Sequence, residues 1–271
     1  MTNSSISSFE GNIPVLAGKR AVVTGAGRGI GRAISLAFAR AGANVAISSR
    51  NEDELQALAL DIESFGRKCV YAVCDVTDPT GVQAMSEAVI WGLGGVDILV
   101  NNAGNAESHK FVGHPDELWH RMIAVNLTSV YYVTKAFVPA LVENGQGRII
   151  NIASTAAKVG DKYVAAYTAA KHGVLGLTRS LAAEMTAHNI TVNAICPGFV
   201  DTSMTRTSIA NIVARTGMSE EDARGALEKA SPQRRLIDPE EVAALAVYLA
   251  SDAARGITGQ GINVDGGAVT W

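Results

Sequence analysis

The 271-residue chain has little cysteine, little net charge and no long apolar run. Its three cysteines, Cys69, Cys74 and Cys196, are too few and odd in number for a disulfide framework, and they fit a reducing, cytoplasmic compartment. Cys69 and Cys74 bound "CVYAVC", which reads as a strand. Their odd separation puts them on opposite faces, so they are expected to be buried free thiols and not a metal clamp. The five histidines form no HExxH or similar ligand pattern, and no metal site is expected. A formal net charge of −3 implies no basic face, which argues against nucleic acid as a partner. No apolar run reaches the roughly 18 residues of a membrane helix. The start, "MTNSSISSFEGNIPV", lacks both the basic and the apolar regions of a secretory signal. It reads as a flexible tail over 1–15, with residues 16–271 forming one domain.

Short β-branched runs alternate with longer helical stretches. Strands are expected at 20–24, 44–49, 68–74, 96–102, 147–154, 190–196 and 261–265, with helices between them, among them 31–42, 52–66, 115–143, 161–187 and 239–252. The strands are continuously apolar, as in a sheet covered on both faces. This alternation predicts an α/β fold: a doubly wound parallel sheet of about seven strands with helices on both faces. Residues 201–232 break the rhythm. They are polar and alanine-rich, carry no strand signal, and read as two short helices outside the sheet, with a capping box from Ser219 to Asp222. Such an insertion suits a substrate lid, or else a structural helical hairpin.

Three motifs carry chemistry. "TGAGRGIG" (24–31) follows the first strand and opens the first helix. Its glycines allow a tight turn and close approach of a pyrophosphate to free N–H groups at a helix N-terminus. "YTAAK" places Tyr167 and Lys171 four apart, on one side of a helix. An unperturbed tyrosine, with a pKa of about 10, is a poor acid–base group at neutral pH. A nearby ammonium would favour the phenolate and lower that value. Ser154, at a strand end, can donate a hydrogen bond to a substrate oxygen. Each of these alone also reads as ordinary surface or turn chemistry.

Together they resemble the short-chain dehydrogenase/reductase family of single-domain Rossmann enzymes. Gly25, Gly29 and Gly31 follow its TGxxxGxG spacing, and "NNAG" (101–104), Asn126 in "VNLTS", Ser154, Tyr167, Lys171, "PGFVDT" (197–202) and "GQGINVDGG" (259–267) come in the family's order across residues 16–267. The resemblance implies a catalytic set of Asn126, Ser154, Tyr167 and Lys171, with Asn126 holding a water near Lys171. It implies cofactor contacts from Gly25, Arg28, Gly29, Ile30, Gly31, Arg50, Asp75, Val76, Asn102, Ala103, Gly104, Tyr167, Lys171, Pro197, Gly198, Val200 and Thr202. Asp75 would meet the adenine and Lys171 the nicotinamide ribose.

The second strand ends in "SSR", where an NAD-type site would carry an acid for the ribose 2′-hydroxyl. Arg50, and Arg28 in the glycine loop, would suit a 2′-phosphate instead, so NADP(H) is the expected cofactor, with NAD(H) still open. The pattern is most similar to 3-oxoacyl thioester reductases acting on carrier-protein or coenzyme A forms. Lid or near-lid residues Arg206, Arg215, Lys229, Arg234 and Arg235 could meet a phosphopantetheine carrier or be solvated. Few fixed charges beyond Lys158 and Glu107 are expected near the pocket. An alcohol, sugar-alcohol or 3-hydroxyacyl dehydrogenase is the enzymatic alternative, and a non-catalytic nicotinamide sensor is the alternative outside catalysis. The resemblance also implies a homotetramer. The apolar helix "VYYVTKAFVPALV" (130–142) suits either an interface or the core.

Overall fold

A computed structural model describes residues 14–271; the expected tail at 1–15 lies almost wholly outside them. The strands are β1 (Arg20–Thr24), β2 (Asn44–Ser49), β3 (Cys69–Val73), β4 (Ile98–Asn101), β5 (Gly147–Ile152), β6 (Ile190–Pro197) and β7 (Gly261–Val264). They form one sheet in the order β3-β2-β1-β4-β5-β6-β7, and every pairing is parallel. The order reverses between β1 and β4. A crevice therefore opens beyond their carboxyl ends, where doubly wound sheets bind ligands.

Helices cover both faces. α1 (Gly29–Arg40), α2 (Glu52–Glu63) and α9 (Pro239–Ala250) bury Ile34, Phe38, Leu55, Ile62 and Val242 against one face. α3 (Pro79–Leu93), α5 (Ser129–Glu143) and the end of α6 (Ala165–Met185) bury Val82, Val89, Phe137, Leu141 and Met185 against the other. Local chemistry sets their ends. Asp78 caps α3 ahead of Pro79, and Gly94 closes that helix in the left-handed region. Asp238 and Glu241 form a full capping box on α9.

Coverage on both faces is not met at the sheet edges. β3 is an edge strand, with Tyr71 and Val73 exposed and Cys69 half-buried. Cys74 and Cys196 are buried, and all three thiols are free. Cys69 and Cys74 pack with the cores of opposite faces, as their spacing requires. The fourth strand ends at Asn101, one residue short of the expected 102. α6 starts at Ala165 and not at 161, because Tyr163 takes a positive φ of 70° and Val164 is not helical. The expected 115–143 helix is two: α4 (Asp116–Ile123) and α5, joined by a π-helical turn at Ala124–Thr128.

Residues 201–232 lie outside the sheet as α7 (Ser203–Thr216) and α8 (Glu220–Glu228). Only half of the expected capping box at Ser219 forms. Ser219 Oγ accepts from the Asp222 N–H and donates to its carboxylate, but Asp222 does not reach back to the Ser219 backbone. At the base of this pair, Val200 and Ile237 form a parallel bridge.

Candidate active site

The glycine turn is fixed to the sheet by its neighbours. Thr24 Oγ accepts from the N–H groups of Asn102 and Ala103 at 3.1 and 3.2 Å. Asn102 Nδ2 donates to the carbonyls of Thr24 and Gly25, both at 3.0 Å. Gly25 has φ +63°, and a Cβ there would lie 2.7 Å from Ala103 Cα. A Cβ on Gly31 would overlap the Gly25 carbonyl and the Asn102 amide. Glycine is required at both by close approach, not only by turn shape. Thr24 was quoted in the sequence motif without a role; its position directly before the first glycine is the signal that could have identified it.

α1 begins here with no side-chain cap on its N-terminus. Its first-turn N–H groups suit an anion. Thr202 packs on the turn, with its Cγ2 3.1 Å from where a Gly29 Cβ would stand. Gly198 backs onto Asp265, whose carboxylate accepts from the Gly267 and Val269 N–H groups at 2.9 Å. Hence 197–202 and the C-terminal signature are held together beside the glycine turn. The cradle fits a dinucleotide pyrophosphate: close-approach glycines, free N–H donors and a hydroxyl residue meet at the switch-point crevice.

In the glycine turn Arg28 Nη1 stands 3.8 Å from Glu54, and just after β2 Arg50 Nη1 stands 3.9 Å from Asp75. Both guanidiniums are largely exposed. The Asp75 carboxyl is held below its usual range, chiefly by the N–H and hydroxyl of Thr77. Val76 is buried beside it.

Ser154 follows β5, and its Oγ accepts from the Ala156 N–H at 3.1 Å. Tyr167 and Lys171 lie one turn apart on α6. Lys171 Nζ stands 5.7 Å from the Tyr167 ring centre and donates to the Ile152 carbonyl at 2.8 Å. Lys171 is buried, and burial pushes its pKa down to about 8. Burial pushes the Tyr167 phenol up, while the Ser154 side chain pulls the other way. This corrects the expectation of a depressed phenol. In the protein by itself, loss of water at the hydroxyl outweighs the favourable groups around it.

Asn126 is fully buried in the π-helical turn. Its Nδ2 donates to the Met122 carbonyl at 3.0 Å, and its Oδ1 accepts from the Asn105 N–H at 3.1 Å. A Cβ on Gly104 would lie 2.8 Å from Asn126 Oδ1 and 3.7 Å from Lys171 Nζ. Asn126 and Lys171 therefore face the same glycine, and the side chain of Asn126 secures the loop that leaves β4.

That loop is also held from α7. Arg215 at the end of α7 donates to Ser108 Oγ at 3.0 Å and to its carbonyl at 3.1 Å. Arg215, Arg206 and Arg235 are thus engaged within the chain: Arg206 with Asp201, Arg235 with Glu241. The Glu241 carboxyl is pushed down to about 2, mainly by Arg235. The charges expected near the pocket are paired as well. Glu107 accepts from Arg121, and Lys158 donates to the Trp271 carbonyl. The Arg215–Ser108 contact was not legible in sequence, since 107 residues separate its partners.

Comparison with known proteins agrees with this fold. The family model described as "Enoyl-(Acyl carrier protein) reductase" matches residues 25–269. A D-beta-hydroxybutyrate dehydrogenase of Rhizobium meliloti (strain 1021) is 39% identical over 252 residues, covering 92% of this chain and 98% of that protein. The 3-oxoacyl-[acyl-carrier-protein] reductase FabG of Escherichia coli (strain K12) is 38% identical over 250 residues, covering 92% and 97%. A crystallised variant of actinorhodin polyketide ketoreductase with NADPH superposes with a TM-score of 0.90 at 37% identity, covering 93% of this chain and 98% of that one.

Proposed function

The chain belongs to the short-chain dehydrogenase/reductase family, and from that premise we propose that it is an NADP(H)-dependent reductase of 3-oxoacyl thioesters, on a carrier protein or coenzyme A. The observation that carries the catalytic part is the placement of Ser154, Tyr167 and Lys171 together at the carboxyl end of β5, next to the switch-point crevice. The nicotinamide, when bound, supplies the hydride donor or acceptor.

The protein's part is the proton and the position. Tyr167 gives a proton to the carbonyl oxygen as charge develops there, and takes it back in the reverse direction. A phenol is protonated at neutral pH, the state from which it donates in reduction. Ser154 donates a hydrogen bond to the same oxygen. Lys171, anchored on the Ile152 carbonyl, supplies positive field beside the phenol and holds the nicotinamide ribose. Asn126 fixes the 104–105 loop against which the cofactor would lie. Arg28 and Arg50 would bind the 2′-phosphate.

The thioester reading draws on the named activity of the FabG relative. The hydroxybutyrate dehydrogenase supports the alternative of 3-hydroxyacid or alcohol oxidation. NADPH oxidation assayed with acetoacetyl thioesters, free 3-oxoacids and simple ketones separates these readings. Thioester turnover at the highest kcat/KM is expected, and no turnover on any carbonyl would favour the sensor. Arg28→Ala and Arg50→Ala are expected to raise the KM for NADPH and leave that for NADH unchanged; an unaltered preference would overturn the cofactor assignment. The three free thiols suit a reducing, cytoplasmic setting. Assembly as a homotetramer is part of the same proposal: α5 buries one face in the core and leaves Tyr131 exposed on another. Sedimentation at low concentration tests it, and a stable monomer would count against it.

A further inference from the structure

We propose that Glu54 sets how strongly this site prefers a 2′-phosphorylated dinucleotide, by competing with the phosphate for Arg28. The inference rests on the cofactor reading above. Glu54 is the third residue of α2, and its N–H is taken by the Asn51 cap. Its side chain crosses back over the glycine turn. A Cβ at Gly27 would stand 3.0 Å from the Glu54 Cβ and overlap its carboxylate. The turn itself meets the end of β2, where the Ala26 N–H donates to the Ser48 carbonyl at 3.0 Å. Glu54 thus brings a carboxylate to the place from which Arg28 and Arg50 would grip a phosphate.

The two acids near these arginines are not equivalent. Asp75 is already occupied, accepting from the Thr77 N–H and hydroxyl at 2.9 and 2.7 Å. The Glu54 carboxylate makes no hydrogen bond among the described residues, and Arg28 at 3.8 Å is its one ion-pair partner there. Arg28 is 70% exposed and Glu54 31%, so the acid is the more fixed member of a long, weak pair. Such a pair does little to orient Arg28. Its main effect on an arriving dianion is repulsion, together with partial neutralisation of the guanidinium. A dinucleotide with a free 2′-hydroxyl feels far less of this, and that hydroxyl could even donate to the acid.

The test is equilibrium binding to the full chain, read by calorimetry, with NADPH, NADH, adenosine 2′,5′-bisphosphate and AMP. Glu54→Gln is expected to tighten NADPH and the bisphosphate by roughly three- to tenfold, the scale of one charge removed a few ångströms away in a solvated site. NADH and AMP should shift by less than about twofold, since they carry no 2′ charge to respond. Glu52 and Asp53 keep the first turn of α2 acidic, so the helix retains favourable charges. Glu54→Asp, with its shorter reach, should give a smaller gain of the same kind and serves if the first variant does not fold. In an Arg28→Ala background the gain from Glu54→Gln should fall below about twofold, as the charge being contested is gone. Unchanged or weakened NADPH binding in Glu54→Gln, an equal shift for NADH, or a gain that persists without Arg28 would each overturn the proposal. If Arg28→Ala and Arg50→Ala leave the NADPH preference intact, the cofactor reading falls and this inference falls with it. If those variants lose NADPH selectively and Glu54→Gln gains nothing, only this inference fails.

Discussion

The crevice has two walls built on different principles. The wall at β1 and β4 is locked by buried and half-buried hydrogen bonds: Thr24 to the 102–103 backbone, Asn102 to two carbonyls, Asn101 to Thr134 and Asn151. The wall made by α7 and α8 is tied by an exposed ion pair from Arg206 and a half-buried one from Arg224, both to Asp201, and by Arg215 to Ser108. Losing a buried hydrogen bond leaves a desolvated partner, whereas an exposed pair is nearly cancelled by water and side-chain entropy. A lost contact therefore costs more in the first wall than in the second. This explains why the cofactor class was legible and the substrate was not.

Four changes probe that contrast, taken from the largest expected effect down. Tyr167→Phe should lower kcat by at least about 100-fold, within the range for loss of a general acid, while fluorescence titration shows NADPH affinity within about twofold. Retained turnover would remove Tyr167 from the chemistry. Asn102→Ala should cost about 1–3 kcal/mol in urea unfolding, because the Thr24 and Gly25 carbonyls lose their donor in the locked wall. A neutral result would show that the two walls do not differ as described.

Lys171→Met tests buried charge through pH. The native lysine sits at about 8 against an ordinary 10.5, so over that window the unfolded chain binds more protons and stability rises with pH. Tyr167 works in the opposite sense from its ordinary 10.0 upward, since its native value is raised and stability then falls. The thiols of Cys69, Cys74 and Cys196, raised by burial, pull stability down from about pH 9 in both proteins, so the lysine is read as a difference: between about pH 8 and 10 the parent is expected to gain stability relative to Lys171→Met. The same slope in both would place the titration elsewhere. Smallest, Arg215→Ala should change stability by less than about 0.5 kcal/mol, as for an exposed site, and shift KM for bulky substrates more than for small ones. An equal KM change across substrate sizes would deny the lid contact a part in selection.

The sequence showed most of the sheet because parallel strands are written as short apolar runs between helices, and the glycine spacing is dictated by backbone contact at Gly25 and Gly31. It misplaced what depends on neighbours. Coverage of β3 depends on its being an edge, which no window around Cys69–Val73 contains. The start of α6 depends on Tyr163 taking a positive φ. The raised Tyr167 pKa depends on how much water the fold removes, and the i, i+4 spacing to Lys171 carries no information about that.

The bridge between Val200 and Ile237 gives the α7–α8 segment a further property. Its two ends leave the body side by side, so the cost of closing the loop between them grows only slowly with length. Helices α7 and α8 can then be lengthened, shortened or replaced from a relative as a cassette, provided Thr202 stays on the glycine turn and the dinucleotide half is left untouched. Exchange of those two helices offers a route to new substrate ranges on an unchanged redox platform.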